Sequence, residues 1–271
     1  MSWTLRLKIA PPLRLDLRAI VPAALAAARS SAEAAQLPVA HGNDTLALAE
    51  VFAIERIDDD QDTLMFDGDC ARCDRIGWQL ASGRIEVRGN VGDYVGAGMA
   101  GGEIRVLGKA GVLAGCEMQG GVLDVAGDVG DFAAGALPGS MDGMRGGTLI
   151  VRASAGERLG DRMRRGSVLV FGDVGAFAGS RMVAGTLAVG GRLGPHCAFG
   201  MRRGSIVCAG AAPAVAPTFV RTHHDCSAFW QLLARDLARF GGPFAGLPAR
   251  RIERLAGDLA VGGKGELLLA T

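Results

Sequence analysis

The sequence predicts an all-β chain: a right-handed parallel β-helix of about 19 residues per coil, with an N-terminal strand and helix cap and a C-terminal helical tail. Three observations predict it. Glycines open apolar-alternating runs at Gly83, Gly102, Gly121, Gly147, Gly166, Gly185 and Gly204, 19 residues apart except for 26 between Gly121 and Gly147. The runs themselves, such as Gly102-Glu-Ile-Arg-Val and Gly185-Thr-Leu-Ala-Val, have period two, the mark of a strand with one buried face. And 19 residues are too few for a strand, a crossover helix and two loops, but enough for one turn of a solenoid.

The repeat can be read position by position. Six residues after each opening glycine comes another glycine, with Ala153 the exception, and nine residues after comes Gly92, Gly111, Gly130, Gly156, Gly175 or Gly194. Three residues before it stand Leu80 and then Met99, Met118, Met144, Met163, Met182 and Met201. The longer interval reflects an insertion of about seven residues around Ala136 to Asp142. Stacking equivalent positions about 4.8 Å apart gives one inward column running from Ile85 through Leu123 to Ile206. It gives a second from Val87 through Val170 to Cys208, and the methionines form a third.

The parts outside the repeat are expected to cap it. Residues 1–61 form the N-terminal cap, with short strands at Thr4 to Ile9 and Leu13 to Leu17 around Pro11-Pro12, and a helix over Ala23 to Gln36 behind Pro22. The runs from Asp44 and from Asp62 read as degenerate first coils, and the β-helix spans 62–210. Residues 211–271 hold a linker and a helix capped by Asp225 that turns Phe229, Leu232, Leu233 and Leu237 to the body. A second helix over about Pro248 to Leu255 and a strand over Glu266 to Leu269 follow.

Composition narrows the function. The 271 residues carry a net charge of +1, one tyrosine and three tryptophans, which argues against nucleic acid as the partner. No apolar stretch is long enough for a membrane span and the N-terminus lacks a signal peptide's layout, so the chain is expected in the cytoplasm. Gly96-Ala-Gly98-Met-Ala-Gly101 matches a dinucleotide fingerprint in letters, but a strand follows it where the fingerprint needs a helix. Cys70-Ala-Arg-Cys73 has no second pair at zinc spacing, and the six cysteines read as small buried hydrophobes in a reducing compartment. His223, His224, Asp225 and Cys226 are the densest set of possible ligands, though Asp225 already has a capping role, and no function is assigned to His223, His224 or Cys226. His196 shares its position with Tyr94, Leu113, Phe132 and Phe177 and reads as a packed corner residue. No catalytic, metal or cofactor-binding residue stands out.

One feature of charge does. Arg162 and Arg181 precede Met163 and Met182, while Arg145, Arg164 and Arg202 follow their methionines and Arg165 and Arg203 adjoin them. If the methionines point inward, their neighbours point outward. Seven arginines then form a basic ridge suited to anions or to an acidic partner surface.

The wording M-x-G-G-x-I-x-V-x-G-x-x-G-x-x-x-G over Asp62 to Gly210, with Gly257-Asp-Leu-Ala and Gly263-Lys-Gly-Glu266 in the tail, resembles the C-subunit family of formylmethanofuran dehydrogenase. The same β-helix forms the C-terminal domain of the large subunit of glutamate synthase. The layout of a short cap, repeats and a tail resembles the free-standing subunit, and abundant alanine and arginine with little lysine favour its bacterial relative, a formyltransferase/hydrolase. The resemblance implies a non-catalytic scaffold. Its complex would move formyl from formyl-tetrahydromethanopterin to methanofuran and release formate, with amidohydrolase-like, formyltransferase and further subunits as partners. Polyglutamylated methanofuran is then the cofactor within reach, bound in the complex and not by this chain alone. An archaeal-type dehydrogenase subunit and a glutamate-synthase-type structural protein are the alternatives. A carbohydrate-active or acyltransferase solenoid fits less well, for want of clustered acids and aromatics or of a six-residue period.

Overall fold

The structure is a computed structural model and describes residues 1–28, 30–57, 59, 62–222 and 224–271. In chain order the elements are β1 (Ser2–Leu7), β2 (Leu15–Asp16), α1 (Pro22–Ala27), α2 (Ser31–Ala34), β3 (Pro38–His41), β4 (Asp44–Ala47), α3 (Leu48–Val51), β5 (Phe52–Ile57), β6 (Thr63–Asp67) and β7 (Cys73–Asp74). The repeats follow as β8 (Arg84–Arg88), β9 (Glu103–Val106), β10 (Gln119–Val125), β11 (Arg145–Val151), β12 (Arg165–Val170), β13 (Thr186–Val189) and β14 (Ser205–Cys208). The tail adds β15 (Val220–Arg221), α4 (Ser227–Ala238), β16 (Ile252–Gly257) and β17 (Gly265–Ala270). Among the described residues, thirteen strands make one sheet in the order β15-β16-β17-β14-β13-β12-β11-β10-β9-β8-β6-β1-β5. From β1 through β6 and β8–β14 to β17 every neighbouring pair is parallel.

The register follows from the repeat. Ile85 lies beside Ile104, Leu123 beside Leu149, Val168 beside Leu187, and Val170 beside Val189. Both predicted inward columns and the methionine column are buried without a gap, at 3% exposure or less. At roughly 1.5–3 kcal/mol per fully buried aliphatic side chain, these columns dominate the stability of the stack. The opening glycines lie at φ between +76° and +105°, a region that side chains disfavour. At Gly111 the reason for glycine is space: a Cβ there would meet Asp93 Oδ1 at 2.1 Å.

Successive repeats are bonded at two further places. A column of single parallel bridges runs from Cys70 through Val91, Ala110, Val129, Ala155 and Val174 to Leu193. Beyond it the chain turns through alternating left-handed residues, and amides bond forward and back by turns: the Tyr94 amide donates to Val112 O, and the Gly96 amide to Ile76 O. Side chains clasp the turns. Asp93 Oδ1 accepts from the Val112 amide at 3.0 Å, Asp131 Oδ1 from Glu157 at 2.7 Å, and Asp173 Oδ1 from Arg192 at 2.8 Å. These carboxylates satisfy amides that no strand partner reaches.

The ends depart from several expectations. The Asp62 run becomes β6 and joins the parallel stack, but the Asp44 run is not a coil: β4 pairs antiparallel with β3 in a separate four-stranded sheet, β4-β3-β2-β7. The expected helix over Ala23 to Gln36 is two short ones, α1 and α2, and Ser30 caps the second by accepting from the Glu33 amide. In the tail, α4 buries Trp230, Ala234 and Leu237, while Phe229 and Leu232 are exposed, contrary to expectation. Asp225 sits one residue before the cap and accepts from the Ser227 amide at 2.8 Å. No helix spans Pro248 to Leu255; the short 3-10 turn Leu247–Ala249 leads into β16, which pairs antiparallel with β17. As a strand it turns Ile252 and Leu255, three residues apart, to opposite faces: Ile252 packs under the tail and Leu255 in the main core.

The tail also explains a change along the stack. The outward position at the middle of each strand holds Glu86, Arg105 and Asp124 in β8–β10, then Ile150, Leu169, Ala188 and Val207 in β11–β14. The second set is buried under Trp230, Leu237, Phe244 and Leu247. Arg250 anchors the cover by donating to Ala209 O and Ala270 O, and the Trp230 indole donates to Arg250 O at 2.9 Å.

Candidate functional site

The reactive side chains do not assemble a reaction centre. Gly96 and Gly98 sit in a left-handed corner that leads into β9, so the fingerprint letters belong to the repeat. Cys70 and Cys73 are buried, and their mutual hydrogen bond, with burial, pushes the Cys73 thiol up. Burial likewise pushes Cys116 and Cys208 up to about 12, which keeps them as unreactive thiols. Among the described residues no three His, Cys, Asp or Glu side chains converge on a point. His196 is a corner residue at φ +59°, stacked on Phe177 with ring centroids 4.9 Å apart. His223 lies outside the described residues. His224 and Cys226 border a depression of about 410 Å³ at the start of α4, with Arg250 and Arg254 on its other side.

The arginines, by contrast, do come together. Met144, Met163, Met182 and Met201 are fully buried, and the backbone alternation turns their neighbours outward. Arg145, Arg164, Arg165, Arg202 and Arg203 are exposed and line one depression of about 610 Å³. Its floor is Val183 and Ala184, which hold the same two positions in the intervening repeat. Arg162 and Arg181 lie one corner away at φ +58° and +54°. They border an adjoining depression of about 410 Å³, which shares Arg164 and Arg202 with the first.

Charge pairing divides the seven. Arg181 holds the buried Asp161 with two bonds, Nε to Oδ1 at 3.0 Å and Nη2 to Oδ2 at 2.5 Å, and the Ser180 hydroxyl donates to the same carboxylate at 2.7 Å. Arg162 stands 3.9 Å from Asp161 and also donates to Met141 Sδ. Arg164 pairs with Asp142, and Arg145 stands 3.9 Å from Glu117. Among the described residues, Arg165, Arg202 and Arg203 have no carboxylate partner. The uniform ridge therefore resolves into internally tied arginines on one side and free cations on the other.

Sequence reasoning missed what walls the site. Met141 and Asp142 come from the insertion after the third regular repeat. Phe199 and the tail residues Asp258 and Val261 form the opposite wall. Asp258 holds that wall in place by accepting from the Gly200 and Ala260 amides, both at 3.0 Å. Asp161 did leave a signal, being an acid where other repeats carry Ala97, Cys116 and Ser180.

Comparison with known proteins gives two results beyond one blank: no family model matches the chain. Over 89 residues the chain is 45% identical to a protein described as the C subunit of the formyltransferase/hydrolase complex Fhc, from Methylorubrum extorquens. That stretch covers 33% of this chain and 32% of the relative. A chain of the solved formyltransferase/hydrolase complex (FhcABCD) from the same organism, in complex with methylofuran, superposes with a TM-score of 0.90. Its sequence identity is 43%, and the match covers 99% of both chains.

Proposed function

We propose a role for this chain from one premise: it belongs to the C-subunit family of the formyltransferase/hydrolase complex. It serves as the structural subunit of such a complex, without turnover of its own. The complex moves formyl from formyl-tetrahydromethanopterin onto a furan carrier and releases formate, in the cytoplasm. Amidohydrolase-like, formyltransferase and further subunits supply the catalysis. The observation that carries this reading is the end-to-end match at 43% identity. Three features support it. The repeats are hydrogen-bonded at three places per level, as the coils of a right-handed β-helix would be, with residues 1–61 and 211–271 as caps about a body at 62–210. No helix among the described residues is long and apolar enough to cross a membrane. And the buried thiols offer no nucleophile of lowered pKa.

In this reading the arginine ridge is a docking face for an anionic group in the complex, whether a partner's acidic surface or the carrier. The test is co-purification from cells of the source organism with a tag on this chain, followed by formyl-transfer and hydrolysis assays on the complex and on the separated chain. The complex should turn over and the isolated chain should not. Turnover by the isolated chain, or recovery of the chain without partners, would overturn the proposal.

A further inference from the structure

We propose that the arginine groove takes an acidic peptide segment of a partner protein, with an apolar side chain of that segment seated between Met141, Phe199 and Val261. The inference deepens the docking reading above and rests on it. Four observations carry it. The first is unbalanced charge: among the described residues Arg165, Arg202 and Arg203 face solvent without a carboxylate partner, while the neighbouring arginines show that this surface takes carboxylates readily. The second is spacing. Arg164 and Arg165 stand two repeats from Arg202 and Arg203, or about 10 Å, the length of three residues of extended chain. A chain bearing several carboxylates can set one against each pair.

The third observation is apolar. Met141, Phe199 and Val261 are 69%, 58% and 48% exposed, and they border the same depression, directly beside the arginines. Isolated exposed apolar residues are ordinary, but three that border one depression beside the unpaired Arg202 mark a recognition surface. The fourth is construction. The walls come from the two places where the chain leaves its period, the insertion and the tail, so the groove is built by exceptions to the repeat and not by the repeat itself. Nucleic acid fits less well, because Phe199 is the one aromatic ring lining the groove and single-stranded nucleic acid needs several to stack on.

The test uses the full chain and two fluorescein-labelled peptides, six glutamates and the same peptide with one central leucine, read by anisotropy over a salt series. The leucine peptide is expected to bind about tenfold more tightly, the gain of one largely buried aliphatic side chain. Arg202→Gln with Arg203→Gln should weaken both peptides at least tenfold and flatten the dependence on salt. Among the described residues neither arginine has an ion pair to lose, so the fold should hold. Val183→Asp, which sets a carboxylate on the floor, should weaken binding without removing an arginine. Val261→Ser should remove only the advantage of leucine. If neither peptide binds, or the variants bind them unchanged, the docking reading itself falls. If both peptides bind alike, docking stands and the apolar seat is wrong. Tighter binding of a dT decamer than of either peptide would reassign the groove.

Discussion

The strands β8–β10 and β11–β14 share their inner columns and differ in their outer one. Inside, Ile104 and Val168, or Val106 and Val170, are equally buried. Outside, Glu86, Arg105 and Asp124 alternate in sign and stay uncovered, while Ile150, Leu169, Ala188 and Val207 lie under α4 and the turns after it. The border is the pair Asp124 and Arg152, bonded at 3.1 and 2.8 Å, with the Arg152 guanidinium resting on Phe171. The lesson is that the inner columns specify a stack and the outer column decides what the stack touches. Cross-strand attraction between opposite charges suffices for a bare face; an apolar column requires a cover.

Substitutions can break or sharpen this contrast. Val106→Asp and Val170→Asp should each cost about 4 kcal/mol or more, because each buries a carboxylate with no partner. Equal losses in a denaturant titration would support the sameness of the two regions inside, and tolerance of either would contradict it. Leu169→Ala should cost about 2–5 kcal/mol through the cavity left beneath the tail. Arg105→Ala, at the equivalent position on the bare face, should cost about 0.5 kcal/mol or less. Similar losses from the two would erase the distinction.

The smallest effect is acid-dependent and confined to the tail. Burial pushes the Asp258 carboxyl up, but hydrogen bonds from Thr218, Gly200 and Ala260 outweigh it and hold the group below the ordinary carboxylate range. A lowered folded pKa gives stabilisation that is complete above the ordinary value near 4 and is lost as pH falls through the folded value. Protection from hydrogen exchange at residues 259–263, taken against the intrinsic rate at each pH, should therefore fall below about pH 4, and Asp258→Asn should remove most of that dependence. Exchange that ignores both changes would show that Asp258 does not hold the wall.

The repeat made most of the stack legible. A column such as Val87 to Cys208 is fixed once period and phase are known, and the arginine positions follow from their distance to the methionines. What could not be read lies where periodicity stops. The Asp44 run alternates as a first coil would, but its partner is the nearby β3, and local hairpin pairing prevails over stacking. Ile252 and Leu255, three residues apart, fit one face of a helix in the sequence; antiparallel pairing with β17 makes the segment a strand instead. The spacing in the sequence puts Phe229 and Leu232 on the buried face of α4, but the packed stripe runs through Trp230, Ala234 and Leu237. The groove was half legible: its cations sit at repeat positions, but its walls depend on how the insertion and the tail fold back, which no column predicts.

The insertion has one more consequence. A rod built from near-identical levels has translational symmetry, and a bound segment could slip by a level and meet almost the same surface. Arg145, Arg164 and Arg202 alone would offer such repeated addresses. Met141 and Asp142 at one end and Asp258 and Val261 at the other occur once each, so they remove the degeneracy and give the groove a single register.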